Sequence, residues 1–540
     1  MTTVYDPATL LTSSVSVPGL LDTTYGYDER GRLKSVKTGT RETLFDYDTG
    51  GNLDFITDPE NHTTYFDYDK TGRVKEIRRP DMTDLYIDYD ANGNMEILTV
   101  PKPEDRTVDH SFGYNNVNLE SSYTTPMNKG YGYTYDRDRR LTKKTFPSGD
   151  EINYVYEPGK DRLEQIQTPE GNTDYTYYPC GVNVETVSRG GETVTYEYDG
   201  SLVTGETFAG TLNLSLGYKY NSDFDIEEFT YAGNTETYAY DDDGLLTGAG
   251  NFTVARKPEN GLPEAVTGGS LNLARTFSGY GETESENYAV NSQGKYSWSV
   301  TRDDNGKIRR KTETAEGVTS VYVYDYDPAG RLLTVKDGND TLLEEYRYDP
   351  NGTRNYEMNT RRGIAGRSLT YHDDDCLMSA GDALYEYDSD GFLEKKTDAS
   401  GETLYDYSSR GELLSVTLPD STFIEYSHDP LGRRIEKKIN DAVVEKYLWQ
   451  GRTRLLAVYD GSGILKMRFE YAEGRMPAAM STNDSSVYYL TYDQVGSLRI
   501  VTDVSGTVVK KIDYDSFGNI ISPDTNPAFE IPFGFAGGSA

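Results

Sequence analysis

The chain has 540 residues, a net charge of −35, 35% apolar residues, and 47 tyrosines against 17 phenylalanines. So acidic a surface repels phosphate backbones and anionic lipid, which excludes nucleic acid and membrane surfaces as expected partners. So low an apolar content argues against a conventional oily core. No apolar run reaches the roughly 20 residues of a membrane span, and the N-terminal stretch MTTVYDPATLLTSSVSV lacks the basic and apolar regions of a signal peptide.

From residue 27 onward one signature recurs, Tyr-Asp-x-x-Gly. Its first four copies are Tyr27, Asp28 and Gly31; Tyr47, Asp48 and Gly51; Tyr68, Asp69 and Gly72; and Tyr89, Asp90 and Gly93, starting 20, 21 and 21 residues apart. A fixed period near 21 means a repeat architecture in which each unit buries surface only against its neighbours. Within one unit, Tyr65, Phe66 and Tyr68 fall in a short strand, and Asp69 to Gly72 has Asp and Gly where type I turns favour them. Arg73 to Ile77 is the returning strand, and Arg79-Pro80-Asp81 breaks the chain again. Each period is therefore a hairpin. Leu33 and Val36, like Val74 and Ile77, are three apart, which breaks strict alternation and predicts a bulge after each turn. The recurring tyrosine rings are expected to stack on one another in a ladder. These roles are structural, with no catalytic chemistry in them.

Degenerate copies at Tyr114, Tyr135, Tyr156, Tyr177, Tyr198 and Tyr220 keep the beat to a further copy at Tyr240. Residues 249–300 lose it and read as diverged repeats, after which Arg302-Asp303 recovers the register with Arg in place of Tyr. Copies at Tyr326, Asp327 and Gly330 and at Tyr348 follow, then a second irregular stretch at 355–380, then Tyr387, Asp388 and Gly391. About 25 units imply roughly 50 antiparallel strands. A ribbon that long without helices to cover it must twist and curl on itself.

The last copies are Tyr492, Asp493, Gly496 and Arg499, and Tyr514, Asp515 and Gly518. In that order, and with the 20–22-residue period before them, they make the whole chain resemble the YD/RHS-repeat proteins. That family includes bacterial Rhs polymorphic toxins, the C component of insecticidal toxin complexes and the YD shell of teneurins. The resemblance implies an all-β fold, a long antiparallel hairpin ribbon spiralled into a hollow shell. Residues 1–486 would form the repeat shell and 487–540 the beginning of the RHS-associated core. It implies a non-catalytic shell that encloses and delivers a C-terminal toxic cargo domain, secreted or at the cell surface as part of a larger protein, with secretion or delivery components as partners. The family's autoprotease carboxylates have no matching positions here, since the chain reads Pro532-Phe533-Gly534-Phe535 and ends at Ala540. The competing reading is an adhesion or glycan-binding module, suggested by the abundance of tyrosine and the teneurin kinship.

No catalytic, cofactor or metal residue is assigned. The group His372-Asp373-Asp374-Asp375-Cys376 offers metal-like ligands, but a strand sends alternate side chains to opposite faces, and a solvated acidic loop is the expected reading. Cys180 and Cys376 could form one disulfide at most and sit in no metal spacing.

Overall fold

The computed structural model describes residues 1–179, 181–521, 526 and 529–538. Among these residues it contains 49 β-strands, two short 3-10 turns (Thr360–Arg362 and Phe535–Gly537) and no α-helix. The strands pair antiparallel with their neighbours in sequence, as in Thr63–Tyr68 with Val74–Arg78 and that strand with Asp84–Tyr89. The stretches without a clear period are strands too, among them Pro263–Gly268, Leu271–Phe277 and Thr283–Val290. Cys180 lies outside the described residues, and Cys376 is a free thiol.

The hairpin turn is built by its aspartate. In the third copy the Gly72 N–H donates to the Asp69 carbonyl at 3.1 Å, and the Asp69 N–H donates to the Arg73 carbonyl at 2.8 Å. The Asp69 side chain then accepts the N–H groups of Thr71 and Arg73 on Oδ1 and the Arg73 guanidinium on Oδ2. These bonds hold the Asp69 carboxyl well below its usual range, the Arg73 backbone N–H first among them. Asp28, Asp48, Asp90, Asp327, Asp388, Asp493 and Asp515 accept the N–H four residues on in the same way. The turn closes through a left-handed residue, φ being +84° at Gly72 and +92° at Gly391. Glycine adopts that conformation without a Cβ penalty.

The strand after the turn carries a bulge. Asp67 faces Glu76 but Tyr68 faces Val74, so Lys75 is the extra residue, and Lys34 and Asp54 hold the same place in earlier units. This is why the apolar residues on that strand stand three apart. The carbonyl just before the extra residue is taken by the tyrosine of the following unit. Tyr47 hydroxyl donates to Leu33 O at 2.8 Å, Tyr68 to Leu53 O at 2.7 Å and Tyr89 to Val74 O at 2.7 Å. Tyr27 and Tyr326 donate likewise to Thr12 O and Ile308 O.

One expectation fails here. Among the described residues the tyrosines of these copies make no ring contact with one another; a guanidinium from the preceding turn covers a ring face instead. Arg32, held by Asp28 at 2.7 Å, sits 4.2 Å above the Tyr47 ring, and Arg73, held by Asp69, sits 4.5 Å above Tyr89. Arg140 over Tyr156 and Arg331 over Tyr348 repeat the arrangement. Where Phe392 takes the arginine position it stacks on Tyr407 at 5.3 Å instead. A cation over a phenol face gains electrostatically and leaves the hydroxyl free to reach its carbonyl.

The chain divides into two compact units. One comprises 1–110, 254–369 and 491–540, the other 111–253 and 370–490. Within each, the ribbon lies against a part of itself far along the sequence, joined mostly by side chains, with a backbone bond from the Leu21 N–H to the Gly279 carbonyl at 2.7 Å in the first unit. In the first unit Arg41 forms a bidentate pair with Glu282 at 2.8 and 3.0 Å, and Arg331 meets Asp81 at 2.9 Å. In the second, Arg189 meets Glu412 at 2.8 Å and Glu170 accepts the Ser409 N–H at 2.7 Å.

Burial rises along the chain. No described residue in the first hundred is fully buried, in line with the low apolar content. Later residues depart from that expectation. Leu448, Leu455, Val458, Phe469, Met480 and Leu490 in the second unit, and Leu498, Ile500 and Val501 in the first, are at most 2% exposed and form conventional apolar cores. The composition averages over both regimes and hides them.

Two outcomes follow. Valine at Gly72 or Gly391 should cost about 1–2 kcal/mol from backbone strain, since a Cβ at Gly391 meets nothing within 4 Å; urea unfolding should show a broadened or split transition, as repeats couple to neighbours. Tyr68→Phe, which leaves the Leu53 carbonyl without its donor, should cost about 1 kcal/mol in the same measurement.

Candidate functional site

The last two signature copies differ from the first in burial. Asp493, Arg499 and Asp515 are 7%, 5% and 4% exposed, and they meet the strands Gln293–Arg302, Ile308–Ala315 and Leu342–Tyr348 of the same unit. Arg499 donates to Glu313 at 2.8 and 3.1 Å, to Asp513 at 2.6 Å, to the Ile512 carbonyl at 2.9 Å and to the Tyr296 hydroxyl at 3.3 Å. Lys311 reaches Glu313 at 2.9 Å. Burial by itself would raise the Glu313 carboxyl, but Lys311 and Arg499 hold it down to about 2. Burial alone would lower the Arg499 guanidinium, but Tyr296, Glu313 and Asp513 push it up.

Asp515 anchors a second cluster. Its Oδ2 accepts Asn359 Nδ2 at 3.0 Å and Asn519 Nδ2 at 2.9 Å, with Arg362 at 3.4 Å. Glu344, 1% exposed, accepts the Tyr346 hydroxyl at 2.7 Å. Glu357, equally buried, is met by Arg354 and Arg367 at 3.2 and 2.5 Å. The two clusters border a cavity of about 200 Å³. Their carboxylates are engaged by cations, phenols or backbone N–H groups. This arrangement orients and holds the segments it joins.

Of the sequence-assigned residues, Asp493, Arg499, Tyr514 and Asp515 come together around this cavity, along with Tyr326 from an earlier copy. Tyr492, Gly496 and Gly518 belong to the turns that carry them, with φ of +87° at both glycines. Tyr387 lies elsewhere, edge-on to His372 at 5.9 Å. Among the described residues no three metal-ligating groups converge. In the 372–376 loop, Asp374 instead accepts Met127 N–H at 3.0 Å and Thr125 hydroxyl at 3.1 Å. The glutamates were missed by the sequence reading. Glu344 carries a signal, a Glu four residues before the signature tyrosine position, as in Glu344-Glu-Tyr346-Arg-Tyr348 and likewise Glu236-Thr-Tyr238-Ala-Tyr240 and Glu445-Lys-Tyr447-Leu-Trp449, whereas Glu313 and Glu357 have none of this kind.

In the second unit the Tyr231 hydroxyl touches both Glu236 and the Phe469 carbonyl, while Tyr238 hydroxyl donates to Glu236 at 3.0 Å. One phenol proton cannot serve two acceptors, so the geometry favours a protonated Glu236 donating to Tyr231, which then donates to Phe469 O. Burial pushes the Glu236 carboxyl up in the same direction. A carboxyl raised on folding contributes stability below its unfolded value of 4.5 and loses it as pH rises through the folded value. Glu236→Gln, a neutral donor of similar shape, should therefore raise the thermal midpoint at neutral pH, with the gain vanishing towards about pH 4.

Among the described residues no helix is long and apolar enough to cross a membrane. The family described as Teneurin YD-shell matches residues 1–539. Human (Homo sapiens) teneurin-4 is 26% identical over 418 residues, 73% of this chain and 15% of that protein. Danio rerio teneurin-3 is 25% identical over 448 residues, 79% of this chain and 16% of that protein. The chain thus spans under a fifth of the length of these curated relatives. The solved structure of TcdB2-TccC3 without its hypervariable C-terminal region superposes with a TM-score of 0.59 at 12% identity, over 96% of this chain and 35% of that one. The Photorhabdus luminescens Tc holotoxin pore carrying TccC3-D651A gives 0.57 at 12% identity, over 99% and 36%. At such identity the likeness concerns fold alone. With a single family covering the repeats and the buried closing segment alike, the chain belongs to the teneurin YD-shell family.

Proposed function

We propose that this chain is the non-catalytic wall of a YD-repeat toxin, enclosing a C-terminal cargo domain and delivering it outside the producing cell, with residues 487–540 as the start of the RHS-associated core. The observation that carries this reading is the uninterrupted repeat ribbon held against itself within each unit by ion pairs such as Arg41–Glu282 and Arg189–Glu412, together with a fold likeness to TccC3 in its complexes with TcdB2. A scaffold spends its carboxylates on turns and ion pairs, as this chain does. Its partners would be the cargo domain and components of a delivery machine. The net charge of −35 suits a basic guest, attracted through the surface field and released more readily where salt screens it.

The curated relatives favour a second reading, a cell-surface adhesion or carbohydrate-binding module, because they are teneurins. The two readings part in one experiment. A cargo domain fused after Ala540 should resist added protease while the same domain alone is digested, and the chain alone should act on no nucleic acid, peptide or glycan. Equal digestion of fused and free cargo would sink encapsulation and leave adhesion. Intact mass after long incubation should also show a single species, whereas a discrete fragment formed independently of dilution would overturn the non-catalytic assignment.

A further inference from the structure

In the unit formed by 1–110, 254–369 and 491–540, the cavity wall carries a cation that has no counter-ion among the described residues. Arg361 stands on the 3-10 turn Thr360–Arg362. The turn is fixed by Asn359, 1% exposed, whose Oδ1 accepts the Arg362 N–H at 3.2 Å while its Nδ2 donates to Asp515. Neighbouring arginines are paired: Arg362 reaches Asp515 and Glu357 at 3.4 and 3.7 Å, and Arg354 reaches Glu357 at 3.2 Å. Arg361 has only a long contact of 3.5 Å to the Tyr514 carbonyl and the Tyr322 ring at 5.1 Å. Among the described residues no carboxylate lies within ion-pair distance of it. The wall also carries a stranded acceptor, since Gln494 Oε1 is buried without a hydrogen-bond partner.

An unpaired guanidinium fork and an unpaired amide oxygen bordering one cavity ask for a ligand with an anionic end and a donor. A volume of about 200 Å³ is below the roughly 300–1,000 Å³ of pockets for drug-sized ligands, which limits the guest to one ring or a short chain. Asp493 and Glu344 on the same wall and the chain's charge of −35 select against a multiply charged anion.

We propose that this cavity binds a small organic monocarboxylate bearing hydroxyl or amino donors, of the sugar-acid or α-amino-acid kind, with its carboxylate on Arg361 and a donor on Gln494. The assignment stands independently of encapsulation.

Calorimetric titration of the full chain with glucuronate, with glycine and with inorganic phosphate tests it. One of the two carboxylates should bind saturably, and which one does so identifies the source. Binding should weaken about tenfold or more in Arg361→Met and less in Gln494→Leu. It should be unchanged in Arg347→Met, an exposed arginine on the strand Leu342–Tyr348. Unfolding midpoints measured alongside show whether each variant is folded, and Gln494→Leu carries the test if Arg361→Met is not. No carboxylate binding up to about 10 mM, phosphate binding as tightly as either carboxylate, or undiminished binding by both folded variants would overturn the proposal.

Discussion

The ribbon depends on one hydrogen bond, from a tyrosine hydroxyl to the carbonyl beside the bulge of the preceding hairpin. A bulge shifts the register and leaves an odd residue in the ladder. If the neighbouring carbonyl lost both its strand partner and water, each repeat would carry a penalty of about 1–3 kcal/mol. Tyr68 and Tyr89 remove that penalty at Leu53 and Val74. The same bond fixes the spacing, because the phenol must reach back 14 or 15 residues in these units to the carbonyl it satisfies. Phenylalanine could fill the space but not the bond, which accounts for a chain with 47 tyrosines and 17 phenylalanines. Trp449 shows the rule by exception, its indole N–H meeting the Arg434 carbonyl at 2.7 Å.

Aspartate, arginine and tyrosine then act as one device. The aspartate closes its own turn and holds the arginine flat, and the arginine covers the next tyrosine. Each element is weak on its own, as exposed ion pairs contribute roughly 0–1 kcal/mol. Repetition makes them sufficient, since stability in a repeat protein is a sum over neighbours. It also explains how the first hundred residues form strands without one fully buried side chain.

The C-terminal part obeys different physics. Arg499, Glu313 and Lys311 are removed from water together, which is favourable only because the arginine meets five acceptor atoms and the carboxylate meets two cations. Breaking such a network by removing one member is costly. It therefore imposes one specific arrangement on the segments it joins, 186 residues apart at Arg499 and Glu313.

The sequence by itself determined the hairpin, the turn and the bulge. All three are local, set by groups within about 20 residues of each other, so Asp, Gly and the three-residue apolar spacing could be read directly. It also marked Asp493, Arg499 and Asp515 as a distinct closing pattern. The tertiary structure alone decided what those residues touch. The separation between contacting segments changes along the ribbon, from 241 residues at Arg41–Glu282 to 223 at Arg189–Glu412 and 153 at Arg362–Asp515. A period of 21 fixes the unit but not how many units pass before the ribbon meets itself, because that number depends on twist and curvature accumulated over many strands. The guanidinium over these tyrosines escaped for a related reason: rings that stack on one another and rings that are each covered by a cation share one sequence period, and only packing distinguishes them.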